Sequence, residues 1–549
     1  MAAVRRRSAP FSLPRGLAGV ALLLLLGSGC RASLPGDHGA APPPPPSDAV
    51  RADDPLAEPV PPPPQPQAAD PRLWVALAAR LAPPVAGAGR PPAPLRLRSG
   101  SGLLTLVDAA GRRFQAPELV LHWHWQPLAE PRLWRRQVLG PFASFESAEA
   151  AALGWRSLGV PAVIARPAEW EVWAPLSAPQ PAGGLQPRRQ EIRQAGRWQP
   201  ELRRAQGPER LQGPIRLEAP GGLRWEKGVF AGPFRLQGDA YGSWTLLEEV
   251  PLERYLAGVV PHEIGAGSPP AALAAQAVLA RTWALRNLHR YQADGYHLCS
   301  DTQCQVYGDP RQAGAAVRQA IAATRHQVLS AGGQPIHAVY HASNGGVAAG
   351  YEEVWSGAPL PYLRSFVDGP APLVAALPLP LAPAGLEALL ARGGSAYGAD
   401  HPVFRWRRQL SAAQIGAALR GAAPRLGQPQ QLRVLERGPS GRVLALEIKG
   451  SGEGGSGETV VLRLDAIRRT LRSLPSTLFT VRPAGPGLWS VEGGGFGHGA
   501  GLSQAGAIDL ARRGWSTARI LQHYYPGTQL VPLSALVPPL PALPPEQAP

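Results

Sequence analysis

A chain of 549 residues with 44% hydrophobic content has length for about three domains and enough apolar side chains to bury their cores, which excludes a wholly disordered protein. Gly and Pro contribute 63 and 64 residues, but the prolines cluster, so they mark connectors between folded parts rather than a low-complexity chain. The net charge of +16 and pI near 10.6 come almost entirely from scattered arginines. Such a surface suits an anionic polymer, cell-wall polymer included, and with no zinc-finger, RNP-type or basic-helix motif nucleic acid is not an expected partner.

Arg5, Arg6, Arg7 and Arg15 precede the apolar run Leu17 to Leu26, too short for a membrane span and the length of a signal-peptide core. GSGC follows, ending at Cys30, the ending of lipoprotein signals, with Gly27 where such signals usually carry Leu. Residues 1–30 are therefore expected to be an export signal, either of the lipoprotein type with Cys30 lipidated or an ordinary secretory one. The protein is expected in the periplasm or cell envelope, held to a membrane only by that lipid or by an uncleaved signal. Residues 31–71, with PPPPPS and VPPPPQPQ, read as an extended tether.

Folded pattern begins with LWVALAARL at 73–81, and residues 72–177 are expected to form an N-terminal α/β region. Residues 95–125 alternate apolar and polar, the period of short strands joined by Gly turns. VLGPFASFESAEAAALGWRSLGVPAVIA (138–165) predicts strand, helix, strand, with Ser144 or Ser147 as the helix cap. With its GPF, following helix and G-x-P-A turn, the segment 130–175 resembles a SPOR module, a resemblance that implies binding to peptidoglycan glycan; an unrelated β-α-β unit is the alternative. Residues 178–212, rich in Pro, Gln and Arg, read as a second connector. Strands return from 213, the body is expected to run to 530, and the Pro-rich tail 531–549 is expected to be disordered.

The stretch GVVPHEIGAGSPPAALAAQAVLARTWAL (258–285) places a lone carboxylate, Glu263, ahead of an alanine-rich helix. Ser268 predicts the helix cap and Pro269 its first position. At about 100° per residue Arg281 falls among Leu273, Ala277, Val278, Ala284 and Leu285, on the stripe the helix should bury. A buried guanidinium needs an anion: either a carboxylate of the core, in a structural pair, or a group of a cleft whose rim holds Glu263. Further along, YHLCSDTQCQVYG (296–308) gathers His297, Cys299 and Cys304, HASNGG (341–346) is a polar Gly turn, and GGGFGHGAGLSQAGA (493–507) packs glycines around His498.

YLAGVVPHEI, AALAAQAVLARTWAL, CQVYG, YHASNGG, EEVW followed by YL, and GFGHGAGLSQAGAIDLARRG followed by ILQHYYPG occur in this order, and together resemble the family of the stage II sporulation protein D and the amidase enhancer, from about residue 215 to 530. The resemblance implies a peptidoglycan lytic transglycosylase with Glu263 and Arg281 as catalytic residues and Gln276, His341, Ser343, His498, Ser503 and Gln504 in substrate binding. A non-catalytic amidase enhancer, or a glycan-binding scaffold for an N-acetylmuramoyl-L-alanine amidase, is the alternative. No cofactor is expected for catalysis. For Cys299 and Cys304 a local disulfide is preferred, with a structural zinc held by His297, Cys299 and Cys304 as its rival. The fold is expected to be α+β: a mixed, β-rich catalytic body with a long alanine-rich helix, preceded by a small β-α-β module.

Overall fold

A computed structural model describes residues 60–67, 71–83, 89–226, 228–391, 393–452 and 457–537. The segments expected to be an export signal, with Cys30, and most of a tether at 31–71, together with residues 538–549, lie outside the described residues. Among those described, no helix is long and apolar enough to cross a membrane.

The fold is α+β and strand-rich. Its first part runs through β1 (Arg72–Ala78), β2 (Leu95–Ser99), β3 (Leu104–Val107), β4 (Arg113–Ala116) and the long β5 (Glu118–Phe142), then α1 (Phe145–Arg156), β6 (Val163–Ala165), β7 (Trp170–Pro175), β8 (Arg188–Arg204), β9 (Gly207–Arg210), β10 (Ile215–Glu218), β11 (Leu223–Trp225), β12 (Gly228–Phe230), β13 (Phe234–Gly238) and β14 (Trp244–Pro251). Two sheets result: β1, β14, β13, β10, β3 and β4 in one, joined on its outer edge by β15 (Leu298–Cys299), and β12, β11, β2, β5, β7 and β6 in the other, with β8 pairing on β5. Leucines such as Leu73, Leu97, Leu217 and Leu246, drawn from both sheets, share one core with the helices that follow.

Two boundaries differ from the sequence expectation. β1 pairs antiparallel with β14 and parallel with β15, so the N-terminal region is woven into the body that starts at 213 rather than preceding it as a separate module. Residues 178–212 are no connector. β8 lies against β5 from Leu121↔Leu202 to Val138↔Arg188, and it buries every second residue through Gln194, Gly196, Trp198, Pro200 and Leu202. That period of two is a strand signal; the abundance of Arg, Gln and Pro hides it from a compositional reading. The tail also contributes, since Gln529–Pro532 pairs with Gln327–Ala331. The strand, helix, strand pattern of 138–165 is present, with Ser144 capping α1 by accepting from the Ser147 amide, yet β6 and β7 continue the large sheet through β5.

After β14 the chain turns into α2 (Leu252–Val260) and α3 (Pro270–Arg286). Every residue of α3 from Ala272 to Leu285 is buried, so the helix has no solvent face at all: it is a core helix, and its alanines let α2, the helices Ala315–Ala323, Gln504–Arg512 and Thr517–Tyr524 and the strand Gln327–Ala331 approach it closely. Each fully buried leucine among them adds about 1.5–3 kcal/mol. The helix begins one residue later than expected, with Pro269 as the cap. The Ser268 hydroxyl donates instead to the Ile264 carbonyl at 2.7 Å. Residues 405–491 carry a further core around Ile415, Ile448 and Val491.

Candidate active site

Glu263 sits where α2 widens into a π-helical turn, Pro261–Gly265, a distortion that recurs at functional positions. The turn is clamped from both sides. The Gly258 carbonyl accepts from the His262 ring at 2.8 Å and from the Gly308 amide at 2.9 Å, and a Cβ on Gly258 would strike the Tyr307 ring and the Gly308 carbonyl. Glycine is required there by close approach. Gly265, at φ +86°, and the Ser268 bond close the turn on the α3 side.

The glutamate is half-buried. Its Oε1 accepts from the Val306 amide at 2.8 Å, and the Tyr340 hydroxyl donates to its carboxylate. Burial pushes the Glu263 carboxyl above the ordinary glutamate value, against the pull of those two hydrogen bonds, which favour the charged form. Behind it lies a relay of neutral groups: Gln305 donates to the Tyr340 oxygen at 2.9 Å and accepts from the Tyr255 hydroxyl at 3.1 Å. Beyond Tyr255 the Tyr307 ring follows at 5.0 Å, and its hydroxyl donates to Glu248. Glu248 is wholly buried and also accepts the Ala231 and Gly232 amides, so it anchors the β12–β13 turn.

Tyr340 joins this carboxylate to the glycine-rich loop. Its carbonyl accepts from His498 Nε2 at 2.9 Å, and Tyr340 pairs with Leu502 as His341 pairs with Ser503. The Ala500 main chain clamps both imidazoles: its amide donates to His498 Nδ1 at 3.2 Å, and its carbonyl accepts from His341 Nδ1 at 3.1 Å. Burial holds both histidines neutral, with His498 pushed down to about 3 and Arg468 adding to the effect. The Trp355 ring lies 5.0 Å from His498. Glu263, Tyr340, His341 and His498 are thus linked by direct contacts in one body. Among the described residues, His341 Nε2 is buried without a hydrogen-bond partner.

The other expected site residues are engaged inside the protein. The Ser343 hydroxyl accepts from the Gly345 amide at 3.3 Å, Ser503 caps the helix Gln504–Arg512, and Gln504 donates to the fully buried Gln276 at 3.3 Å. They brace the loops that shape the site. Arg281 is 0% exposed, and its fork grips Glu253 at 2.8 and 2.7 Å while Nη1 donates to the Gln327 carbonyl at 3.0 Å. Its carboxylate is therefore the structural one at the start of α2, and through that bond Arg281 fixes the helix that leads into Glu263. Cys299 and Cys304 are joined in a disulfide. His297 faces the main chain instead: Nδ1 accepts from the Trp74 amide at 2.8 Å and Nε2 bonds the Pro64 carbonyl at 3.2 Å. Among the described residues no three His, Cys, Asp or Glu side chains are grouped to hold a metal ion.

Residues 240–330, the stretch that holds Glu263, Arg281 and the Val306 loop, match the family model described as stage II sporulation protein. That stretch of the chain is similar to the stage II sporulation protein D family. It is 28% identical over 303 residues to stage II sporulation protein D of Bacillus subtilis, covering 52% of this chain and 75% of that protein, and 28% identical over 299 residues to its counterpart in Bacillus amyloliquefaciens, with the same coverage. It is 29% identical over 290 residues to the amidase enhancer of Bacillus subtilis, across 50% of this chain and 40% of that protein. Residues 349–501 match a second family model, described only as a domain of unknown function. Tyr340, Gln305 and Glu253 were not singled out from sequence as site residues. Tyr340 and Gln305 stand inside the YHASNGG and CQVYG motifs, but only contact with Glu263 distinguishes them from their neighbours.

The disulfide closes the loop that ends at Gln305 and Val306, so it steadies the amide that holds Glu263. A reductant is expected to lower the melting temperature and slow any glycan cleavage, while a zinc chelator changes neither; differential scanning fluorimetry with each additive checks this.

Proposed function

We propose that this protein is an exported lytic transglycosylase that cleaves the glycan strand of peptidoglycan, with Glu263 as its acid and base. The observation that carries the reading is a single half-buried glutamate whose carboxyl is raised by burial and held by the Val306 amide and the Tyr340 hydroxyl, within the segment that matches the sporulation protein family. Hydrolysis with retention or inversion normally needs two carboxyl groups flanking the bond. Here the carboxylate reached behind Glu263, past the Tyr255–Tyr307 ring contact, is Glu248, which is buried and occupied. One group suffices if the sugar supplies its own nucleophile. Glu263 protonates the glycosidic oxygen, the C1–O bond breaks, and the C6 hydroxyl closes on C1 and returns its proton to Glu263, leaving a 1,6-anhydro ring. The Val306 and Tyr340 donors stabilise the carboxylate that exists between those two transfers.

The acid form is required at the start, so activity should fall as pH rises through the elevated Glu263 pKa. Tyr340→Phe removes a hydrogen bond that lowers that pKa. The variant is expected to be slower, with its alkaline limb displaced to higher pH; a pH–rate profile of turbidity loss from purified peptidoglycan measures both. A second reading, a scaffold that stimulates an amidase, is favoured by the similarity to the amidase enhancer. Zymography separates the two: clearing that depends on Glu263 without added amidase supports the enzyme, and clearing only with amidase present supports the scaffold.

A further inference from the structure

Beside the Glu263 loop lies a cavity of about 570 Å³ that the chemistry above does not use. One wall is the β11–β12 hairpin with Arg224, Glu226 and Val229, and the other is the turn after Tyr307 with Asp309, Arg311 and Gln312. Asp309, 4% exposed, ties the walls together. Its Oδ2 accepts from the Val229 amide at 3.0 Å, and its two oxygens take the Arg311 amide at 3.0 Å, Nε at 3.0 Å and Nη2 at 2.6 Å. Gly228 makes the approach feasible, because a Cβ there would stand 3.1 Å from that of Asp309 and 3.0 Å from the Phe230 ring. Glu226, at the hairpin turn, holds φ at +48°, a conformation that non-glycine residues seldom adopt and that clusters at ligand sites.

The cavity adjoins the reaction centre. Val306, which holds Glu263, is three residues from Asp309, at most about 10 Å of extended chain. Gly308 between them packs so closely under the His262 ring that a side chain would collide with it. Arg311 is oriented by Asp309 with Nη1 left over, and among the described residues Arg224 has no carboxylate partner. Two guanidinium groups and the Gln312 amide make a donor set matched to a carboxylate.

We infer that this cavity is a subsite distal to Glu263 that binds a carboxylate carried by the glycan strand, with Arg311, fixed by Asp309, and Arg224 as its donors. The inference rests on the glycan-cleaving reading. The carboxylate has two sources, the lactyl group of a muramyl sugar that carries no stem peptide, and the stem peptide itself where one is attached.

Calorimetric titration of the whole Glu263→Gln chain, which is expected to turn substrate over about a hundred- to ten-thousand-fold more slowly, separates the possibilities. The probes are a peptide-free tetrasaccharide containing muramic acid, the same sugar bearing stem peptides, and chitotetraose, which has no carboxylate. Arg224→Gln and Arg311→Gln in that background should each weaken at least one of the two muramyl probes by about tenfold and leave chitotetraose unchanged. Because attachment of the peptide turns the lactyl carboxylate into an amide, weakening of the peptide-free muramyl probe alone assigns the lactyl group, weakening of the peptide-bearing probe alone assigns the stem peptide, and weakening of both shows a subsite that takes the carboxylate from either source. Arg224 makes no internal hydrogen bond among the described residues, so its variant tests the subsite even if loss of Arg311 loosens the Asp309 turn. Unchanged affinities in both variants, or an equal loss for chitotetraose, overturn the subsite while the cleavage reading stands. Failure of natively melting Glu263→Gln protein to bind any of the three probes overturns both.

Discussion

Glu263→Gln is expected to slow release of glycan fragments about a hundred- to ten-thousand-fold, the usual size of a proton-transfer contribution, while leaving the fold intact. Glutamine keeps the shape of the side chain and an oxygen for the Val306 amide, but it can neither give nor take a proton. The same variant carries a stability prediction of opposite sign. The folded-state pKa of Glu263 lies above the usual 4.5, so the folded protein binds this proton more tightly than the unfolded chain does. That contribution is fully present below the unfolded pKa and is lost as pH rises through the folded one. At neutral pH the ionised carboxylate therefore costs stability, and the glutamine variant should melt at the wild-type temperature or above it. Fragment release assayed beside thermal denaturation reads both effects. A variant that is inactive because it is unfolded would fail the second.

The other large effect is expected at the pair beneath the site. Arg281 is fully buried, and Glu253 keeps 18% of its side-chain surface. Replacing either partner alone leaves the other charge uncompensated in the core; Glu253→Gln or Arg281→Leu should cost about 3–5 kcal/mol in denaturant unfolding. Arg281→Lys retains the charge but loses the planar fork that meets both Glu253 oxygens and the Gln327 carbonyl, so it too should destabilise. Replacing both partners with apolar residues of similar volume should recover much of the loss. Because Arg281 contacts Glu253 rather than Glu263, Arg281→Lys assayed well below its melting transition should keep most of the wild-type rate. A fall in rate as deep as that of Glu263→Gln, with stability unchanged, would put the arginine in the reaction centre.

What the sequence makes legible follows from where the physical signal is local. The α+β class, the strands of 95–125, the Ser144 cap and the start of α3 to within one residue rest on periodicity and capping chemistry. So does the burial of Arg281, although not its partner: Glu253 lies 28 residues away, and nothing in the spacing selects it over any other core carboxylate. The mistaken connector at 178–212 shows the opposite case, where a composition rich in Arg and Pro outweighs a period-two pattern that β8 obeys. The weaving of β1 between β14 and β15 is a long-range pairing with no signature in either segment. Glu263 is conspicuous as the lone carboxylate ahead of an apolar helix, and His498 as the lone imidazole in a glycine-rich loop. Their link through Tyr340, whose hydroxyl serves one and whose carbonyl serves the other, requires the fold.

The disulfide and the Glu263 turn meet in the segment 299–308, and the chemistry proposed for that turn stands or falls on its products. Mass spectrometry of the soluble sugars released from purified peptidoglycan by the wild-type protein, with no amidase added, tests it most directly. The proposed mechanism predicts muramyl ends in the 1,6-anhydro form, absent from digests with Glu263→Gln. Free reducing ends, or anhydro products at the wild-type rate from the variant, would contradict it.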